Sequence, residues 1–140
     1  MKDIYNNTVL KRALSPVSVS DNTAQVSQII DTKGFGAVLF GILIGSVADA
    51  DATFAVTADE SDASDLSGSN SVAAANMVGT LALAGFQFDD DNEVRKILIT
   101  PGKRYVRITI TPTGNASAAV LAAFAQLVAP TYAPVTQPVA

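Results

Sequence analysis

Among its 140 residues the chain has no histidine, no cysteine and no tryptophan. Without cysteine there is no disulfide, no thiol nucleophile and no thiolate ligand, so packing and strand pairing must hold the fold. Without histidine the commonest general base and transition-metal ligand is missing. With no tryptophan and only three tyrosines, a sugar-stacking cleft has little to be built from. Charge is sparse and leans acidic: 13 Asp and Glu against 9 Lys and Arg, a formal net charge of -4. A general nucleic-acid binder would carry a basic face instead. Six of the nine basic residues fall in dispersed pairs, Lys11-Arg12, Arg95-Lys96 and Lys103-Arg104, which suit strand ends better than a phosphate site.

What is present is apolar: 49% of the residues are hydrophobic. One domain of this length buries roughly two-thirds of its unfolded surface. The longest apolar run lies within Gly34 to Ala50. Its core of about 14 residues, interrupted by small breaks, is shorter than the roughly 20 needed to span a bilayer. It reads as a strand dry on both faces, and no membrane partner is expected.

The rest of the chain carries strand periodicity punctuated by turns. Residues 24–31 begin in alternation, and Thr32-Lys33-Gly34 is a turn. Residues 37–47 are continuously apolar, with Gly41 and Gly45 marking a bulge or a close neighbour. Asp49-Ala50-Asp51 leads into Thr53–Thr57, and the two strands are expected to pair as a hairpin. Residues 59–70 collect Asp, Ser and Gly around an isolated Leu66 and read as a mobile loop. Residues 72–77 fit either a helical turn or a bridging strand. Residues 80–88 are expected as a strand bulged at Gly85, and residues 94–100 as a strand closed by Pro101-Gly102. Arg104 to Thr111 is the cleanest strand, with Val106, Ile108 and Ile110 on one face. Alanine content makes residues 116–129 helical by propensity. Their place after the turn at Pro112 to Asn115 makes them the strand that pairs with 105–111, and strand is preferred.

Seven or eight short strands at regular spacing predict an all-β, antiparallel β-sandwich of jelly-roll-like form. The expected organisation is an N-terminal arm over 1–20, with room for a short strand over 8–14, a sandwich over 21–130 and a C-terminal arm over 131–140. Pro16, Pro134 and Pro138 keep the arms extended.

The ordered set Ile30-Asp31-Thr32-Lys33-Gly34-Phe35, Gly41 to Gly45, Asp49 to Val56, and Gly102-Lys103-Arg104-Tyr105-Val106-Arg107 through Asn115 resembles small structural proteins encoded in the virion gene clusters of tailed bacteriophages and prophages. The resemblance covers roughly residues 24 to 130. It implies a virion structural protein of the capsid-associated minor or decoration type.

Other chemistries fare less well. Asp49, Asp51, Asp59, Glu60, Asp62 and Asp65 offer oxygen to a hard cation but lack EF-hand spacing. A solvated loop guarding a sheet edge explains them more simply. A carboxylate-pair glycosidase lacks aromatics to hold its sugar. No enzyme activity, metal or cofactor is expected.

The candidate partner contacts are the apolar arm residues Ile4, Tyr5, Val9, Leu10, Tyr132, Val135 and Val139, together with Arg104 and Arg107. The plain alternative for the arginines is pairing with a carboxylate on a neighbouring strand. The expected function is a non-enzymatic cement that stabilises an icosahedral head. Its partners would be the major capsid protein and neighbouring copies of itself. It would be made in the host cytoplasm and sit on the capsid surface of the virion. Alternatives are a tail, neck, collar or head-fibre component, or a surface carbohydrate- or receptor-binding module.

Overall fold

The computed structural model describes residues 3–136. Eleven strands form two antiparallel sheets packed as a sandwich. Six strands carry the fold: β1 (Val9–Val19), β4 (Phe35–Val47), β5 (Thr53–Ser61), β9 (Val94–Ile99), β10 (Tyr105–Thr113) and β11 (Ala119–Pro130). Five two-residue pieces complete the sheets: β2 (Gln25–Val26), β3 (Ile30–Asp31), β6 (Asn70–Ser71), β7 (Met77–Val78) and β8 (Phe86–Gln87). These pieces raise the count above the expected seven or eight.

One sheet has the order β1-β11-β4-β9-β7, and the other β2-β10-β5-β6, with β3 also on β10 and β8 also on β5. The chain changes sheet at nearly every step. The expected β4–β5 hairpin is therefore corrected: β4 pairs with β11 and β9, and β5 with β10. Both strands are apolar enough to sit centrally in their own layer, so the turn between them crosses the sandwich instead of folding back. Likewise β11 is the strand its position required, but it lies between β1 and β4, not beside β10.

Between the layers β4 contributes Val38, Phe40 and Ile42, β9 Ile97 and Ile99, and β10 Val106, Ile108 and Ile110, all essentially sealed from solvent. In β11 the inward positions Leu121, Ala123, Ala125 and Leu127 are buried. Its small residues let the two layers approach closely.

Two further expectations are corrected. Residues 9–19, assigned to an arm with room for a short strand over 8–14, form one 11-residue strand, β1, which pairs with β11 from Val9↔Leu127 to Val19↔Ala119. Its irregular register around Leu14 and Pro16 breaks the alternation that would have carried the strand on to Val19. Residues 81–84, expected as strand, form a single helical turn, α1 (Leu81–Ala84). Thr80 starts it by accepting from Leu83 N (3.1 Å). Gly85 follows, where an added Cβ would lie 2.9 Å from Phe54 O, so a close backbone approach and not a bulge explains this glycine. Residues 25–31 split into β2 and β3 because Ser27 interrupts the ladder: its Oγ accepts from Ile108 N (3.0 Å). The loop after β5 is tied down by Leu66, only 4% exposed, and by Ser61 Oγ donating to Ser67 O (2.7 Å).

Asn115 locks the turn after β10 to the end of β1. It is buried, and its Nδ2 donates to Val19 O (3.1 Å) and Asp21 O (3.0 Å), while its backbone N donates to Asn22 Oδ1 (2.9 Å).

Candidate functional site: the outer face of the five-stranded sheet

The outer surfaces of the two sheets differ in kind. The six-stranded sheet turns Thr57, Asp59, Tyr105, Arg107, Thr109 and Thr111 outward, an ordinary wetted face. The five-stranded sheet turns out apolar side chains on nearly every strand. In one row Leu10, Gln126, Leu39, Leu98 and Val78 stand opposite one another across all five strands. In a second, Ala122, Leu43 and Val94 align. Leu10 is 67% exposed, Val78 67% and Val94 62%; Leu83, projecting from α1 beside them, is 68% exposed. Scattered exposed leucines need no explanation, but a contiguous sheet face of them does.

Phe124 organises this surface. It stands opposite Gly41, and a Cβ on Gly41 would lie 2.3 Å from the ring's Cε1 and Cζ. The glycine thus provides the bed on which the ring lies, which answers the bulge-or-neighbour question raised by the sequence. On one side of the ring is a hollow of about 400 Å³ lined by Leu10 and Arg12 and by the Lys11 that joins them at the β1 edge. On the other is a largely apolar groove of about 610 Å³ bounded by Leu39, Val78, Leu83, Val94 and Leu98, with Arg95 and Lys96 on its wall.

The sequence-predicted contacts are dispersed. Leu10 lies on this face. Val9, its neighbour, points inward at 3% exposure and is removed from the contact set: strand alternation sends it to the core. Ile4 and Tyr5 are exposed at a 3-10 turn over Tyr5–Asn7, and Tyr132 is exposed near the other end. Val135 is half-buried against the chain's own core, with its N donating to Asn6 O (2.7 Å). Val139 lies outside the described residues. Arg107 stands in register with Asp59 on the six-stranded sheet.

Arg104 takes the plain alternative. Its Nε and Nη2 donate to Asp31 Oδ1 (2.9 Å) and Oδ2 (2.7 Å), and its guanidinium sits 4.9 Å above the Tyr105 ring centroid. This fork lowers the Asp31 pKa from 3.8 to about 2, chiefly through the Arg104 hydrogen bonds, against a smaller opposing effect of burial. A carboxyl whose pKa falls on folding contributes stability above its unfolded pKa and loses it as pH drops through the folded one. The stability difference between the native chain and Asp31→Asn should therefore be constant at neutral pH and shrink between about pH 4 and pH 2. Both side chains are 43% exposed, so screening holds the difference to about 1 kcal/mol or less. Denaturant melts over that pH range read it; a difference that grows on acidification would contradict the pairing.

The remaining acidic residues serve separate turns. Asp49 accepts from Ala116 N (2.8 Å) and Asp51 N (3.1 Å), Asp62 from Lys103 Nζ (3.1 Å), and Asp65 from Ser67 N (3.0 Å). These bonds hold all three carboxyls below their ordinary pKa. Among the described residues no three carboxylates converge on a common point.

No family model and no curated protein matches the chain. Among solved structures it is similar to the PBSX exported protein XepA, with a TM-score of 0.58 at 14% identity. That match covers 94% of this chain and 41% of XepA, so the chain spans about two-fifths of that protein's length. At such identity the likeness shows the fold alone. Two looser likenesses are a subunit of Bacillus endospore appendages (12% identity, TM-score 0.41, 88% of this chain and 89% of the other) and the Clostridium thermocellum xylanase 10B CBM22-1–GH10 modules (13% identity, TM-score 0.40, 95% and 28%).

Proposed function

We propose that the chain is a non-enzymatic structural protein of a tailed-phage particle that decorates and reinforces the head. The observation that carries this reading is the outer face of the five-stranded sheet, an apolar surface built on rigid strands with Phe124 bedded at its centre. Such a face suits docking and offers no arrangement for turnover. The ordered sequence resemblance to virion proteins favours the particle as its place, and the fold similar to that of the PBSX exported protein XepA is compatible with a phage-related structural role.

The mechanism is cement-like. The face spans roughly four strand spacings by seven residues, on the order of 500 Å². That is less than the roughly 800 Å² per partner of a standard stable interface. A single contact is therefore weak, and holding power comes from many copies on a repeating shell. Ile4, Tyr5 and Tyr132, exposed beside the domain, reach neighbouring copies or capsid subunits. The partners in this reading are the major capsid protein and other copies of the chain, on the outer capsid surface.

Quantitative mass spectrometry of gradient-purified particles tests the reading. It expects the chain at a copy number that scales with the shell subunits. A copy number fitting a single ring would move the protein to the neck or tail, and its absence from particles would overturn the proposal.

A further inference from the structure

The charges on the apolar face are of one sign. The strands β1, β4, β7, β9 and β11 contain no Asp or Glu; their charged residues are Lys11, Arg12, Arg95 and Lys96. The chain's formal net charge is nevertheless -4, so its acids lie on the other sheet and in the turns. Of the four cations, Arg95 stands opposite the core residue Ile42 and is held by Asp90 (2.5 Å) and Glu93 (3.0 Å). Lys11 stands opposite Ala125, on the inward side of β11. Arg12 and Lys96 remain, and neither forms an ion pair among the described residues.

Their placement is specific. Arg12, Phe124, Gly41 and Lys96 stand opposite one another in a single row across β1, β11, β4 and β9. Three strand spacings put the two cationic positions roughly 14 Å apart with the aromatic ring between them. With the Gln28 amide turned to satisfy both neighbours, its oxygen accepts from Arg12 Nη2 (2.5 Å) and its nitrogen donates to Arg12 O (2.9 Å). That bond holds the guanidinium at the β1 edge of the face. An aromatic anchor flanked by two cations on strands that carry no acidic residue is the complement of an apolar surface bearing carboxylates.

The geometry points to a protein partner whose docking surface is apolar and carries acidic side chains spaced to meet Arg12 and Lys96. This inference specifies the partner surface for the docking reading above and rests on it. A second copy meeting the same face would gather four cations with no counter-charge, a poor isologous contact. Nucleic acid is disfavoured because two cations amid leucine and valine make no phosphate track.

The full chain should be tested by surface plasmon resonance on gold-supported monolayers of methyl-ended alkanethiol. These are diluted in turn with carboxylate-, hydroxyl- or ammonium-ended thiol. At low salt the carboxylate surface should bind roughly ten-fold tighter than the ammonium one, a preference that fades as salt rises. The double variant Arg12→Glu/Lys96→Glu, at exposed positions, should reverse the preference. Phe124→Ser should weaken binding to all three surfaces; if it fails to fold, the charge variant still decides. Equal affinity for the three surfaces, or a preference that survives the double variant, would overturn the assignment. So would Phe124-dependent dimers in sedimentation, which would make the occupant a second copy. Tighter binding to phosphatidylglycerol vesicles than to the carboxylate monolayer would make it a lipid surface and overturn it too. Because no phage component enters this assay, its failure is distinguishable from absence of the chain from particles.

Discussion

Phe40→Ala is expected to lower the unfolding free energy by about 3–5 kcal/mol. The ring is fully buried, with Ala125 of β11 on one side in register and Ile97 of β9 on the other. Truncation removes its transfer energy and leaves a cavity that two hydrogen-bonded neighbours cannot close. Against a typical total of about 5–15 kcal/mol, this is the largest single loss the fold offers. Urea denaturation should show a lower midpoint at unchanged slope. Phe124 supplies the control, because it lies one residue along from Ala125 and on the opposite face of the same sheet. Phe124→Ala should cost less, about 1–2 kcal/mol, since that ring is only partly covered and its loss leaves no closed cavity. Equal losses at the two positions would contradict the assignment of one ring to the core and the other to the outer face.

The second large effect is polar. Glu60 is 8% exposed, and its Oε2 accepts from Gly102 N (2.8 Å) and Lys103 N (3.3 Å). The carboxylate thereby fixes the Pro101-Gly102 turn that carries the chain from β9 in one sheet to β10 in the other. Glu60→Ala strands both amides, and charge-assisted bonds of this kind are worth about 2–3 kcal/mol. Glu60→Gln keeps one acceptor and should lose about 1 kcal/mol. Hydrogen exchange at the Gly102 amide locates the effect: protection should fall in Glu60→Ala and survive partly in Glu60→Gln. Unchanged protection in both would show that another group holds the turn.

The sequence carried the strands better than their neighbours. Alternation through Tyr105 to Thr111 reports which face is wet, and that face is the outer surface of the six-stranded sheet. Residues 119–130 are a strand despite their alanines, because tertiary pairing outweighs a weak helical preference. Periodicity does not say which strand lies alongside. A turn such as Ala48 to Ala52 reads the same whether it folds back or crosses between layers, so the placing of β4 and β5 in different sheets was illegible. The second half of β1 was hidden by its irregular register around Leu14 and Pro16, and α1 by the short reach of one capped turn.

The candidate site was half visible. The apolar run over residues 37–47 predicts a strand dry on both faces, but only its inner face is sealed, and Leu43 on the outer face is 44% exposed. Leu39 and Leu43 were the excess that pointed to a covered face. In β11 the even positions Val120, Phe124 and Val128 face outward, but alanine at the intervening positions flattens the contrast that would have separated the two faces. The cationic row could not be read at all, since Arg12, Phe124 and Lys96 meet only through the β1-β11-β4-β9 order.

The central claim is that the outer face of the β1-β11-β4-β9-β7 sheet docks this protein onto a phage head. A cryo-EM reconstruction of the particle at side-chain resolution tests it most directly. The expected map has the domain on the capsid exterior, Phe124 buried against the shell, and shell carboxylates beside Arg12 and Lys96. A map with that face open to solvent, or a complete particle without the domain, would contradict it.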